Sequence, residues 1–193
     1  MNSDNSDILN VIISEQELQN KISEMAAKIS DDYRDKNLLL ICVMNGSVFF
    51  SVDLIRKLTI KAELDFITVT SYHGGTVSSG KVNLLRDVCT DIADKDVLVI
   101  EDILDSGRTF SYLLKHLKDK NPRSLKSCSL LDKPDRRVVP VELDYTGFVI
   151  PDIFIVGYGM DYDQSYRQLP FIGELKPQVY MDKKETCLTA SKD

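Results

Sequence analysis

Residues 97–109 read Val97-Leu98-Val99-Ile100-Glu101-Asp102-Ile103-Leu104-Asp105-Ser106-Gly107-Arg108-Thr109. The apolar run at 97–100 predicts a buried parallel strand, and a helical pattern over Phe110–Lys118 follows the segment. The small residues between them predict a tight turn leading into a helix N-terminus, whose exposed N–H groups attract anions. Glu101 and Asp102 follow the strand, at the edge where open α/β sheets bind ligands. The segment therefore predicts a phosphate site beside two carboxylates that suit a cation or sugar hydroxyls.

Strands and helices alternate on both sides of this segment, which predicts an α/β fold with a doubly wound, mainly parallel sheet. The whole chain, 1–193, is expected to form one domain with its core at about 35–160. The chain ends do not fit the alternation, and segments at about 8–20 and 150–180 are expected to form a small hood over the sheet edge. Residues 1–10 are polar and are expected to fray. Strands are predicted at 38–43, 63–72, 82–86, 97–100, 124–131, 146–149 and 153–156, and helices at 14–30, 48–58 and 110–118.

Composition narrows the class of protein. The 193 residues are 43% hydrophobic and carry a net charge of −6, which argues against general nucleic-acid binding. No apolar run approaches the roughly 20 residues of a membrane span, and the N-terminus lacks the features of a signal peptide. The four cysteines show no CxxC spacing, and Cys42 and Cys128 lie in apolar runs that predict buried thiols. A cytoplasmic, reducing compartment is expected.

The segment 97–109 resembles the phosphoribosyl-pyrophosphate (PRPP) motif of the type I phosphoribosyltransferases, in which hydrophobic residues precede two acids, two hydrophobic residues, Asp, Ser/Thr-Gly and Thr. Every position of that motif is filled here. The resemblance implies that Glu101 and Asp102 hold the ribose hydroxyls, partly through Mg²⁺. It implies that Asp105 faces the purine N7 as the catalytic acid or base. The 5′-phosphate would be bound by Asp105, Ser106, Gly107, Arg108 and Thr109.

A second strand–turn–helix unit, Val43-Met44-Asn45-Gly46-Ser47, predicts a second anion subsite. By itself an Asn-Gly turn is a weak indication. In the resembled family this turn holds pyrophosphate, often through a non-proline cis peptide, which would be Met44–Asn45 here. Many members carry a basic residue where this chain has Asn45, so backbone N–H groups near Gly46 would bind the pyrophosphate. Arg167 matches an arginine that contacts pyrophosphate in the family.

The base subsite is predicted from two later segments. By themselves, Lys133 would be a solvated lysine after a strand, and Phe154 and Ile155 would be core residues. In the resembled 6-oxopurine enzymes, a lysine at the position of Lys133 donates a hydrogen bond to the exocyclic oxygen of the base. Adenine carries an amino group there, which cannot accept that hydrogen bond. Phe154 would stack on the purine and the backbone at Ile155 would contact the base edge. Asp161, in Gly-Met-Asp-Tyr, would help to bind a second Mg²⁺.

The Gly/Ser-rich stretch after the third predicted strand has two interpretations. Residues 75–81 match the first seven positions of a P-loop, GxxxxGK, but Val82 stands where magnesium binding needs Ser or Thr. A strand rather than a helix is predicted next, so a P-loop is disfavoured. The resemblance implies instead a flexible loop, beginning at Ser71 and Tyr72, that closes over the substrates and excludes water.

The resemblance extends from about residue 11 to about residue 175 and implies purine salvage. PRPP and hypoxanthine, guanine or xanthine would give the nucleoside monophosphate and pyrophosphate, with Mg²⁺ as cofactor and a homodimer or homotetramer as the assembly. A non-catalytic PRPP-sensing regulator of the same fold is the main alternative, although no added basic segment is present. An adenine- or pyrimidine-specific enzyme should lack the Lys133 and 154–161 features. A dinucleotide-binding oxidoreductase would need GxGxxG after the first strand.

Overall fold

A six-stranded sheet forms the centre of the computed structural model, which describes residues 5–71 and 82–181. Its strands are β2 Leu38–Met44, β3 Ala62–Ser71, β4 Val82–Arg86, β5 Asp96–Leu104, β6 Ser124–Asp132 and β7 Tyr145–Val149. Their order in the sheet is β4-β3-β2-β5-β6-β7, in which β4 is antiparallel and the other strands are parallel. The apolar runs predicted as buried strands occupy the middle of the sheet.

Helices cover both faces of this sheet, as the doubly wound prediction requires. Helices α1 (Glu15–Asp32) and α2 (Val48–Lys57) share one core with the inward residues of the central strands, and α3 (Arg108–Lys118) packs in a second core on the other face. Consecutive residues of one strand point into different cores: Leu40 packs in the core with α1 and α2, whereas Leu39 packs in the core with α3. The α/β fold class is therefore confirmed.

Helix α1 begins with the capping box that its sequence predicts. The Glu17 N–H donates to the Ser14 hydroxyl over 3.3 Å, and the Ser14 N–H donates to the Glu17 carboxylate over 2.8 Å. Residues 15–20, which were expected in the hood, thus belong to a helix that packs on the main sheet. The apolar residues of α1, beginning at Leu18, are buried in the core shared with the central strands. This packing is the reason that the segment does not belong to the hood.

A separate three-stranded sheet brings together segments from near both ends of the chain, and we call this sheet the hood. Its order is β1 (Ile8–Ile13), β9 (Ile172–Leu175) and β8 (Ile155–Val156), all antiparallel. The expectation that residues 1–10 fray is wrong for residues 8–10, since they belong to β1. The partner strand β9 lies near the other end of the chain, so no local pattern indicates this pairing.

Strand β5 is longer than predicted, and this places the two acids inside it. It pairs with β2 only as far as Cys42↔Ile100, but with β6 as far as Leu104↔Asp132. Beyond Ile100, strands β2 and β5 therefore separate, and a cleft opens on that side of Glu101. This is the point at which the strand order of the sheet reverses, where ligands bind in open α/β folds.

The predicted loop at 73–81, with its P-loop-like residues 75–81, lies outside the described residues, as does Tyr72. Ser71 is the last residue of β3. Within 5–71 and 82–181, none of the helices is long and apolar enough to cross a bilayer.

Candidate active site

The cleft between the carboxyl ends of β2 and β5 has a volume of about 220 Å³. It lies over the first turn of α3 and contains several of the residues predicted to bind PRPP. Its lining includes Met44, Glu101, Asp105, Ser106 and Thr109.

The Glu101 and Asp102 carboxylates are shielded from water at the cleft, and one Glu101 oxygen has no partner among the described residues. Burial, and then the neighbouring Asp102, raise the pKa of Glu101 well above its ordinary value. Within the described part of the chain, Glu101 Oε2 is buried without a hydrogen-bond partner. Burial raises the pKa of Asp102 to about 6, although the Ile103 N–H donates to Asp102 Oδ1 over 2.8 Å. Such groups are costly unless a ligand compensates them, which indicates a binding site.

Replacing Asp102 with Asn is expected to stabilise the ligand-free protein at pH 7. Because the folded-state pKa of about 6 exceeds the ordinary value of 3.8, ionisation of Asp102 destabilises the fold. The destabilisation is complete above about pH 6 and disappears as the pH falls towards 3.8. The free energy of unfolding of Asp102→Asn should therefore exceed that of the wild type by on the order of 1–3 kcal/mol at pH 7 and by little at pH 4. Thermal unfolding at both pH values measures this, with exposed Asp31→Asn as control. A destabilised variant at pH 7 would contradict it.

The turn at 105–109 carries α3 into the cleft. Gly107 caps the helix with a φ of +80°, and a Cβ there would lie 2.3 Å from the Val139 carbonyl oxygen, so glycine is required on both grounds. The Ser106 carbonyl accepts from the Val138 and Val139 N–H groups over 2.9 and 3.0 Å. Ser106 and Thr109, at the start of α3, line the cleft, whereas Arg108 is exposed.

The second predicted turn meets the first one closely. The Met44–Asn45 peptide bond is cis, and Asn45 is exposed. A Cβ on Gly46 would lie 1.8 Å from Asp102 Oδ2, and a Cβ on Gly159 would lie 2.1 Å from the Gly46 carbonyl oxygen. Backbone from the β2 turn, the Asp102 carboxylate and the segment after β8 therefore converge where no side chain would fit.

Arg167 and Asp161 form an ion pair beside this convergence. Arg167 Nη2 lies 2.8 Å from Asp161 Oδ1, and its Nη1 donates to the Gly159 carbonyl over 2.7 Å. Both groups influence Asp102: Arg167 lowers its pKa and Asp161 raises it. Among residues 5–71 and 82–181, no three His, Cys, Asp or Glu side chains are grouped closely enough to hold a metal. Glu101 and Asp102 nevertheless fit Mg²⁺, which commonly takes one or two carboxylates together with substrate phosphates.

Lys133 lies at the end of β6, buried with 7% exposure. Its backbone N–H donates to the Leu104 carbonyl over 3.0 Å, and its Nζ donates to the Ile153 carbonyl over 2.5 Å. Burial lowers the pKa of Lys133, and the nearby Asp105 and Asp152 carboxylates oppose that shift. The ammonium predicted to bind the base therefore uses one of its three donors within the protein.

Phe154 and Ile155 lie at the junction of this region and the hood. Phe154 is 38% exposed, and its ring meets Tyr162 edge-on at 5.6 Å and stacks on Tyr180 at 4.7 Å between centroids. Ile155 is buried in β8, opposite Glu174. The predicted stacking of a purine on Phe154 stays a prediction, and the Tyr180 ring is a contact that the sequence did not indicate.

Two arginines to which the sequence assigns no role, Arg136 and Arg137, contact the site. Arg137 Nε donates to the Asp105 carbonyl over 3.0 Å, its Nη2 donates to the Leu104 carbonyl over 3.1 Å, and it pairs with the Asp132 carboxylate. Arg136 Nε lies 2.9 Å from Asp105 Oδ1. Two adjacent arginines after Lys133 were the only sign in the sequence, and such a pair is usually solvated.

Comparisons with known proteins show the family of this chain. The family model of the phosphoribosyl transferase domain matches residues 12–163. The chain is 47% identical over 174 residues to a hypoxanthine-guanine phosphoribosyltransferase of Staphylococcus epidermidis, covering 90% of this chain and 97% of that one. The crystal structure of a hypoxanthine phosphoribosyltransferase from Staphylococcus aureus matches with a TM-score of 0.89 and 44% identity, over 93% of this chain and 98% of that one.

The fold and the site therefore define a member of the phosphoribosyl transferase domain family, to which this chain belongs. Within that family it groups with the hypoxanthine-guanine phosphoribosyltransferases, and the resemblance noted in the sequence is confirmed. The chain is also 48% identical over 177 residues to the bifunctional protein TilS/HprT of Listeria monocytogenes, covering 92% of this chain but 27% of that protein's length.

Proposed function

We propose that this chain transfers the phosphoribosyl group of PRPP to hypoxanthine or guanine, and in principle xanthine, in purine salvage. The sugar C1–oxygen bond breaks, and its electron pair leaves with pyrophosphate. A ring nitrogen of the base forms the new bond to C1, and the base gives up a proton to Asp105. The observation that carries this proposal is the buried Glu101–Asp102 pair beside the N-terminus of α3, where β2 and β5 separate.

The PRPP end of the reaction is assigned to the cleft. The first N–H groups of α3, with the Ser106 and Thr109 hydroxyls, suit the 5′-phosphate, because a helix N-terminus stabilises anions. The turn at Asn45 and Gly46, with Arg167 close by, suits the pyrophosphate. Pyrophosphate departure leaves positive charge on the sugar, which carboxylates at the ribose stabilise electrostatically.

The base end is assigned to Lys133 and Asp105. A lysine ammonium donates but cannot accept, so it favours an exocyclic oxygen over an exocyclic amine. Leaving a buried donor unpaired is costly, and this is the origin of discrimination against adenine. Groups that read the 2-position of the ring would be backbone atoms near Ile155 and Asp161.

Glu101 and Asp102 would hold Mg²⁺, and Asp161 would help to hold a second ion. When bound, Mg²⁺ would neutralise charge on the pyrophosphate and make it a better leaving group. The unpartnered Glu101 oxygen supports this assignment, and so does Asp102, whose pKa stays raised by burial although Arg167 lowers it in part.

Removal of divalent metal should stop the reaction. With PRPP and hypoxanthine, the purified protein should release equal amounts of inosine monophosphate and pyrophosphate in Mg²⁺. Chelation with EDTA should lower the rate at least about 100-fold, and added Mg²⁺ should restore it. The PRPP-sensing alternative predicts PRPP binding without release of pyrophosphate. Full activity in EDTA would contradict the metal assignment.

The same resemblance supports a homodimer or homotetramer acting in the cytoplasm, without nucleic-acid or membrane partners. The free thiols of Cys42 and Cys128 lie in the core, as a reducing compartment permits. The net charge of −6 disfavours nucleic acid. Light scattering coupled to size exclusion measures the assembly, and a monomer at working concentration would contradict it.

A further inference from the structure

The segment that follows Lys133 brings a second cation to the catalytic carboxylate. Residues Pro134–Arg136 form one turn of 3-10 helix, so that Lys133 and Arg136 project from its two ends. Arg136 Nε lies 2.9 Å from Asp105 Oδ1, and Arg136 Nη1 donates to Asp152 Oδ1 over 3.4 Å. One guanidinium therefore bridges the β5 turn and the segment that leads into the hood.

The two halves of this bridge differ in geometry. The contact between Arg136 and Asp152 is an aligned hydrogen bond. The contact with Asp105 is an ion pair only: Asp105 Oδ1 is shielded from solvent yet accepts no hydrogen bond from any described residue. Arg136 thus supplies charge at Oδ1, the shielded oxygen. The Asp105 side chain as a whole is about half exposed, so Oδ2 is the oxygen that an N–H of a base could approach.

Both ends of the bridge adjoin the proposed base subsite. Asp152 precedes Ile153, whose carbonyl accepts from Lys133 Nζ over 2.5 Å. Asp105 and Asp152 are also the two carboxylates whose charge acts on Lys133. The groups that would contact the base edge are therefore tied together by Arg136.

We propose that Arg136 is a positioning residue: anchored on Asp152, it orients the Asp105 carboxylate towards the base without using its hydrogen-bonding capacity. This inference rests on the proposed function. Misplacement of a catalytic group by about 1 Å can cost up to about 100-fold in rate. A lysine at this position should serve less well, because the planar guanidinium can contact two carboxylates in fixed geometry, whereas an ammonium is a point charge.

The test compares Arg136→Gln, Arg136→Lys, Asp152→Asn and the Arg136→Gln/Asp152→Asn double variant. We expect Arg136→Gln and Asp152→Asn each to lower kcat/KM for hypoxanthine about tenfold, with the KM for PRPP within twofold of the wild-type value. The double variant should lose little more than either single variant, because both changes break one bridge. Arg136→Lys should recover only part of the loss.

Stability separates positioning from a structural role. The bridge is about half exposed, and such ion pairs add little to folding, so Tm should change by no more than about 3 °C. Arg34→Gln, which breaks an exposed pair with Asp31 away from the site, is the matched control and should behave as wild type.

Three results would overturn the inference. A kcat/KM for Arg136→Gln within twofold of the wild-type value would show that the contact between Arg136 and Asp105 does not affect the reaction. A fall in Tm and in PRPP affinity that accompanies the loss in base kinetics would show a structural role. Additive losses in the double variant would show that Arg136 and Asp152 do not act together. Failure of the wild-type protein to turn over any base would instead be failure of the proposed function, and the inference would fall with it.

Discussion

Asp105→Asn is expected to lower kcat for hypoxanthine by about 100- to 10,000-fold, the usual contribution of a positioned general acid or base. The amide keeps the shape of the side chain but cannot take up the proton. The Asp105 backbone is held by the Arg137 side chain, which the substitution does not touch. PRPP affinity should therefore stay within about threefold, because the turn that would bind the 5′-phosphate keeps its geometry.

Single-turnover rates and PRPP binding, measured on the same preparation, check this expectation. Asp152→Asn is the matched control, since it neutralises the other carboxylate on Arg136 and leaves Asp105 in place. Its loss should be much smaller than that of Asp105→Asn. Unchanged turnover in Asp105→Asn would remove this residue as the proton acceptor. A loss confined to PRPP affinity would assign it to phosphate binding instead.

Lys133→Met is expected to raise the KM for hypoxanthine and guanine by about 10- to 100-fold, the range for loss of a charged hydrogen bond. Methionine keeps much of the volume of the buried stem and removes the donor. The variant also leaves the Ile153 carbonyl without its present partner, so a moderate fall in Tm accompanies the kinetic effect. The KM for PRPP should change little, because no PRPP group is assigned to this side chain.

Lys126→Met is the matched control, because Lys126 also lies on β6 but packs over the Tyr145 ring, away from the cleft. Its kinetics should equal those of the wild type. Selectivity gives an independent measurement: Lys133→Met should narrow the ratio of hypoxanthine to adenine turnover. A KM change for PRPP alone, or unaltered selectivity, would contradict the role assigned to Lys133.

The centre of the fold and the turn that follows β5 were predictable because both are encoded locally. The run at 97–100 is apolar without interruption, as a strand buried on both faces requires, and it is followed at once by its acids and turn. The Ser14–Glu17 capping box is equally local and marks the start of α1. These features need no knowledge of distant residues.

Contacts between distant segments were not predictable in the same way. That segments near both chain ends meet was expected, but the pairing of β1 with β9 and its register are set by packing that no local window contains. The same holds for Arg136, whose partners Asp105 and Asp152 lie on different elements. The end of β5 was placed too early because continued pairing with β6, rather than hydrophobicity, keeps Glu101 and Asp102 in the strand.

The most direct test of the central claim is the initial rate of PRPP consumption with five bases supplied in parallel in Mg²⁺: hypoxanthine, guanine, xanthine, adenine and uracil. A site built on Lys133 predicts turnover of hypoxanthine or guanine and none of adenine or uracil. Turnover of adenine or uracil at a comparable rate would contradict the assignment of the base subsite. PRPP binding without turnover of any base would contradict catalysis itself and identify a regulator that keeps the fold.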